Sequence, residues 1–87
     1  MAELDVQVVA TDHAVWSGKA KSVRGRTVEG DIGILPGHTP VLALLGEGEL
    51  AIEPVSGPKV TAQVKGGFFS VDHDRVTIVA DDADLTT

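Results

Sequence analysis

The chain has 87 residues, which is enough for one small domain, because dividing it would leave each half too little apolar surface to bury. A composition of 43% hydrophobic and 23% charged residues is typical of a folded globular protein. The net charge of −6 argues against binding to nucleic acid and to anionic lipid surfaces, since both recruit an excess of Lys and Arg. The absence of cysteine excludes disulfides and thiolate metal sites.

The N-terminal residues 1–5 carry acids where a secretory signal has a basic start and an apolar run. The longest apolar runs, such as residues 41–45, are too short to span a bilayer. We therefore expect a protein that faces the cytosol and does not insert into lipid.

The first third of the chain alternates between apolar and polar residues. Leu4, Val6, Val8 and Ala10 form such a pattern, which predicts a strand with one buried face. A turn signal follows at residues 17–18, and residues 19–27 alternate again with an imperfect phase. Gly25, between two arginines, indicates a bulge that resets this phase.

The rest of the chain continues as short apolar segments between Gly- and Pro-rich turns. Residues 30–38 predict a turn, a brief strand and a turn, and residues 41–45 a short buried strand. Further strands are expected at 49–53, 59–65, 68–71 and 76–80, with the last hairpin at 72–75. The one weak helix candidate is 81–87, which opens with acids. This pattern predicts an all-β sandwich or barrel.

Histidines beside aspartates suggest a metal site only superficially. His73 lies between Asp72 and Asp74, and His13 follows Asp12. Adjacent residues of a strand point to opposite faces, so neither pair chelates easily, and solvated turn residues are the expectation.

Nucleophilic and phosphate-binding motifs are equally weak. None of the four serines, Ser17, Ser22, Ser56 and Ser70, lies in a Gly-x-Ser-x-Gly pattern. The glycines of residues 30–33 lack the Gly-Lys-Ser/Thr ending of a phosphate loop. We expect no catalytic residue and no cofactor.

One basic cluster and three aromatic residues stand out. The cluster is interpreted as a solvated strand face that also protects a sheet edge, or alternatively as a docking stripe for an acidic partner; it contains Lys19, Lys21, Arg24 and Arg26. Trp16 and Phe68 are predicted to be core residues. Because Phe68 and Phe69 are adjacent, one of them should face outward.

Residues 30–40, Gly-Asp-Ile-Gly-Ile-Leu-Pro-Gly-His-Thr-Pro, closely resemble the signature of ATP synthase epsilon subunits. Two further pieces follow in the family's order. Residues 15–18, Val-Trp-Ser-Gly, are similar to its aromatic-Ser-Gly segment. Residues 66–68, Gly-Gly-Phe, and residues 76–80 are similar to its Gly-Gly-Phe and closing strand. The resemblance covers the chain from Leu4 to about Ala83.

This resemblance implies an all-β, flattened sandwich of about ten short, mostly antiparallel strands. It also implies a non-catalytic rotor subunit of the central stalk, which bridges the gamma subunit and the membrane ring of c subunits. Such a subunit couples proton flow to ATP synthesis, supports complex assembly and lies at the cytoplasmic face of the bacterial membrane.

The family's interfaces map onto particular residues. The resemblance assigns Glu29, Asp31 and Ile32 to the c ring. It assigns Ala10, His38, Thr39 and Leu42 to gamma. The sandwich domain is expected at residues 1–83, with a tail at 84–87 where family members usually begin a two-helix arm. The arm's inhibitory and ATP-binding properties are not carried over.

Two other classes of function stay open on the sequence. A biotinyl or lipoyl carrier domain is also small, acidic and all-β, but neither Lys59 nor Lys65 has the neighbours of a modified hairpin lysine. A sandwich-type adaptor unrelated to the synthase would differ in its partner.

Overall fold

The structure, a computed structural model, describes residues 3–86, which form seven β-strands. The strands are β1 (Leu4–Ala10), β2 (Ala14–Thr27), β3 (Gly30–Ile34), β4 (Val41–Leu44), β5 (Gly48–Pro54), β6 (Val60–Asp72) and β7 (Arg75–Leu85). The all-β prediction is confirmed. The strands number fewer than ten because β2, β6 and β7, with 14, 13 and 11 residues, continue through segments that the sequence pattern divides. Within residues 3–86, no helix is long and apolar enough to cross a membrane.

Pairing of the strands closes most of the sheet on itself. The order is β1-β7-β6-β5-β2-β3, and an additional β1–β2 pairing joins five of the strands into a ring. Strand β3 is attached outside the ring to β2, and β4 to β6. Every pairing is antiparallel except β1–β7, which is parallel, so the mostly antiparallel arrangement is confirmed.

The core lies inside this closed arrangement and is built from alternate residues. The predicted inward face of β1 is buried as expected, and Phe69 is fully buried at the centre. Gly25 of β2 leaves room for that ring, since a Cβ there would lie 3.4 Å from Leu50 Cδ1 and 3.6 Å from Phe69 Cε2. Gly25 is thus a packing position. The register shifts of β2 lie between Ala14 and Trp16 in its pairing with β1 and between Ala20 and Ser22 in its pairing with β5, and not at Gly25.

The two phenylalanines face opposite sides, as expected, but Phe69 and not Phe68 is the core residue. Phe69 is 0% exposed and Phe68 is 40% exposed. The burial phase of β6 shifts between Val64 and Phe69, where Gly66 and Gly67 have φ angles of +68° and +102°. Residues other than glycine rarely adopt such backbone angles. The two glycines therefore allow the phase shift that turns Phe69 inward and Phe68 outward. Trp16 is half-buried and packs against the core.

Three other sequence predictions are wrong in detail. Strand β4 is not buried, because Leu42 and Leu44 face outward on it. Residues 81–85 continue β7, where they pair with β6 as far as Leu85–Ala62, and no helix forms there. The basic side chains of β2 are exposed, but residues 20–24 of β2 pair with β5 on one side and with β1 or β3 on the other, so this part of β2 is not a sheet edge.

Candidate docking surface

A group of large apolar side chains is exposed where β4 meets β6. We call Val28, Leu42, Leu44 and Phe68 the apolar patch; their exposures are 65%, 76%, 63% and 40%. Leu44 pairs with Phe68 across β4 and β6, and paired residues lie on the same face of a sheet. The N–H of Val28 donates to the Leu44 carbonyl at 3.0 Å, which places Val28 beside them.

The patch continues as a row of apolar side chains across the outer face of the sheet. Phe68 pairs with Val79 of β7, and Val79 pairs with Val9 of β1. Both valines are half-buried. Grouped exposed apolar side chains are a common feature of surfaces that bind other proteins.

Of the four residues predicted to contact gamma, Leu42 alone is shown to belong to the apolar patch. Thr39 is exposed in the loop that leads into β4. His38 is half-buried, and its ring donates from Nδ1 to the Thr39 carbonyl at 2.6 Å. Ala10 is only 8% exposed and packs in the core, so its side chain offers little surface to a partner.

The residues predicted to contact the c ring lie at the β2–β3 turn and on β3. The turn is held by Thr27, whose hydroxyl donates to the Gly30 carbonyl at 2.8 Å and accepts from the Glu29 N–H at 3.2 Å. Glu29 and Asp31 are exposed, whereas Ile32 is half-buried against the core. The turn is therefore shaped before any partner binds.

Asp31 is not an isolated charge. Its Oδ1 accepts a hydrogen bond from Arg26 Nε at 3.1 Å, and both side chains are more than half exposed. A partner that forms an ion pair with the Asp31 carboxylate therefore competes with Arg26.

The structure brings together residues that the sequence analysis assigned to different partners. Glu29, from the predicted c-ring set, lines the same shallow depression as Leu42 and Leu44. Val28, Leu44 and Phe68 were not predicted to be surface residues, although all three are exposed. Leu44 could have been found from its spacing of two from Leu42, which places both on one face of a strand.

The loop between β3 and β4 is a defined turn tied to the β6–β7 hairpin. The His38 N–H donates to the Leu35 carbonyl at 3.2 Å, and Gly37 has a φ of +87°. Pro36 followed by a left-handed glycine is typical of a type II turn. The Gly37 N–H donates to Asp74 Oδ1 at 2.7 Å, a contact between residues 37 positions apart that no sequence motif indicates.

Two histidines each contact the aspartate that precedes them in the chain. His13 Nδ1 lies 2.6 Å from Asp12 Oδ1, and this hydrogen bond lowers the pKa of the exposed Asp12 carboxyl. His73 Nδ1 lies 2.8 Å from Asp72 Oδ1 at the solvated β6–β7 turn. Among residues 3–86, no three His, Cys, Asp or Glu side chains are grouped so that they could hold a metal ion.

Comparison with known proteins identifies the family. Residues 3–86 match the family described as the beta-sandwich domain of the ATP synthase delta/epsilon chain. The ATP synthase epsilon chain of Micrococcus luteus is 59% identical over 85 residues, which cover 98% of this chain and 93% of that one. The epsilon chain of Rhodococcus erythropolis is 50% identical over 86 residues, which cover 98% of this chain and 70% of that one.

Solved structures agree with the fold. A chain in the mitochondrial ATP synthase of Euglena gracilis, solved with OSCP, F1 and the c-ring, superposes with a TM-score of 0.89 at 26% identity. The match covers 98% of this chain and 54% of that chain, so this chain spans about half its length. A chain from the central stalk and c-ring of the Tetrahymena thermophila enzyme has the same fold, with a TM-score of 0.78 at 19% identity. The chain therefore belongs to the beta-sandwich domain family of the ATP synthase delta/epsilon chain, a non-catalytic subunit of that complex.

Proposed function

We propose that this domain is a rotor element of the central stalk that anchors the gamma subunit to the membrane ring of c subunits. In this role it couples proton flow to ATP synthesis and supports complex assembly, at the cytoplasmic face of the bacterial membrane. Family membership supports the subunit identity, and the solved relatives come from complexes that include the c-ring. The apolar patch is the observation that carries the docking role.

The apolar patch is proposed to bind gamma. Burying a side chain of the size of Leu or Phe contributes about 1.5–3 kcal/mol when burial is complete. Association costs roughly 4–15 kcal/mol in lost freedom, so contacts of this kind are needed to offset it. Leu42 lies in the patch, and His38 and Thr39 precede it on the same connection, which is consistent with a single gamma surface.

The β2–β3 turn is proposed to contact the c ring through Glu29 and Asp31, with Ile32 beside them. The Thr27 hydrogen bonds fix the turn, so little entropy is lost when it docks. A carboxylate at the rim of an interface contributes only about 0–1 kcal/mol, and Asp31 must also leave Arg26. The carboxylates therefore set orientation more than affinity.

Calorimetric titration of the 87-residue chain with gamma from the same organism tests this proposal. The informative variant is Leu44→Ser, which removes an exposed apolar side chain from the patch without opening the core. The matched control is Leu85→Ser, at 49% exposure near the end of β7.

The proposal predicts saturable one-to-one binding that Leu44→Ser weakens about tenfold or more and Leu85→Ser leaves within about twofold. A folded wild-type chain that does not bind gamma would contradict the anchoring role. If Leu44→Ser weakened gamma binding no more than Leu85→Ser does, the apolar patch would not be the gamma contact.

A further inference from the structure

We propose that Asp74 is a positioning residue that holds the Leu35–Thr39 connection in the shape that gamma recognises; this inference rests on the function proposed above. The Asp74 carboxylate accepts the Gly37 N–H at 2.7 Å, and the Asp74 carbonyl accepts the Asp5 N–H at 2.8 Å. One residue thus joins the β3–β4 loop, the β6–β7 turn and the start of β1.

The contact is placed where it controls the next residues of the chain. Gly37 immediately precedes His38 and Thr39, and β4 begins at Val41, which pairs with Val71 of β6. The connection is therefore fixed at its two ends by the β2–β3 and β4–β6 ladders, and between them by the Asp74 carboxylate at Gly37. Without that carboxylate, the type II turn keeps its own His38–Leu35 bond but loses its hydrogen bond to the β6–β7 turn.

The local backbone supports a specific reason for aspartate at this position. His73 and Asp74 have φ angles of +49° and +60° in the two-residue β6–β7 turn. Turns of this type favour glycine, asparagine and aspartate, and aspartate is accepted there because its short side chain can form hydrogen bonds nearby. The Asp74 side chain accepts the hydrogen bond from Gly37, whereas the His73 side chain is 93% exposed.

This asymmetry supplies a matched pair of variants. Asp74→Gly and His73→Gly each place glycine at a left-handed position of the same turn, so both relax the backbone. Only Asp74→Gly removes the acceptor for Gly37. Asp74→Asn keeps an acceptor oxygen in place and serves as the conservative rescue.

The experiment measures gamma affinity by calorimetry and the hydrogen exchange of the Gly37 amide by NMR for all three variants. Because hydrogen bonds to charged groups are among the stronger ones, Asp74→Gly is expected to raise the Kd for gamma about tenfold and to speed Gly37 exchange. His73→Gly and Asp74→Asn are expected to stay within about threefold of the wild-type Kd.

The outcomes separate this inference from the proposed function. If the wild-type chain binds gamma and Asp74→Gly binds equally well, the positioning role is overturned while the anchoring role stands. If Asp74→Gly and His73→Gly weaken binding equally, turn geometry and not the carboxylate is responsible, which also overturns it. If the folded wild-type chain does not bind gamma, both proposals fail.

Discussion

Replacing Gly67 with alanine is expected to damage the sandwich far more than the same change at Gly57. Both glycines have left-handed backbone angles, with φ of +102° at Gly67 and +97° at Gly57. A Cβ at Gly57 meets nothing within 4 Å. A Cβ at Gly67 would overlap the Val79 carbonyl oxygen and lie 2.8 Å from Ala80 Cα, both in the main chain of β7.

The expected magnitudes follow from these surroundings. Both variants carry the left-handed penalty of about 1–2 kcal/mol, reduced by about 0.4–1 kcal/mol because alanine restricts the unfolded chain. Gly67→Ala must also displace β7, and overpacking of this kind costs about 1–3 kcal/mol. Loss of a β6–β7 backbone hydrogen bond adds about 1 kcal/mol. We therefore expect about 1 kcal/mol of destabilisation for Gly57→Ala and roughly 3–5 kcal/mol for Gly67→Ala.

Urea denaturation followed by the fluorescence of Trp16, the single tryptophan, measures both variants. Trp16 packs against the core, so its emission reports global unfolding. Small domains have total stabilities of about 5–15 kcal/mol, so Gly67→Ala is expected to lose a large share of the total. Equal midpoints for the two variants would refute the steric reasoning and leave only the backbone angle as a cause.

Three further predictions concern neighbouring side chains and charges. Phe69→Ala should cost about 3–5 kcal/mol of stability, whereas Phe68→Ala should cost about 1 kcal/mol and chiefly weaken gamma binding; urea titration of both, with calorimetry, checks this. Asp31→Lys should weaken c-ring association in low salt and leave the fold intact, and an unchanged affinity there would remove Asp31 from the interface. The pKa of the Asp12 carboxyl is lowered, so its ionised form favours the folded state at pH values above the usual aspartate pKa. This contribution is lost as the pH falls through the lowered pKa of Asp12. Because Asp12 is exposed, Asp12→Asn should leave the urea midpoint at pH 7 unchanged.

The alternation of apolar and polar residues predicted most of the strands, because a strand with one buried face has this pattern. The pattern in β1 was complete, and all four predicted inward residues are buried. It failed where the phase shifts within one strand, at residues 20–22 of β2 and at Gly66–Gly67 of β6. A period of two carries no information about such a shift, so Phe68 was assigned to the core in place of Phe69.

The candidate surface was less accessible to sequence reasoning than the fold. Residues 41–45 read as a buried strand because every one is apolar, and composition does not show that Leu42 and Leu44 project away from the core. Val28 joins them through pairing between segments far apart in the chain. The Asp74–Gly37 bond was missed for the same reason, since it depends on the closed strand arrangement.

The most direct test of the bridging role is co-sedimentation of gamma with detergent-solubilised c rings, with and without this chain. If the domain anchors gamma to the ring, the fraction of gamma that sediments with the rings should rise with added chain and saturate at equimolar amounts. The Leu44→Ser variant should reduce that fraction while still sedimenting with the rings itself. A fraction of gamma that is the same in the presence and absence of the chain would contradict the proposed function.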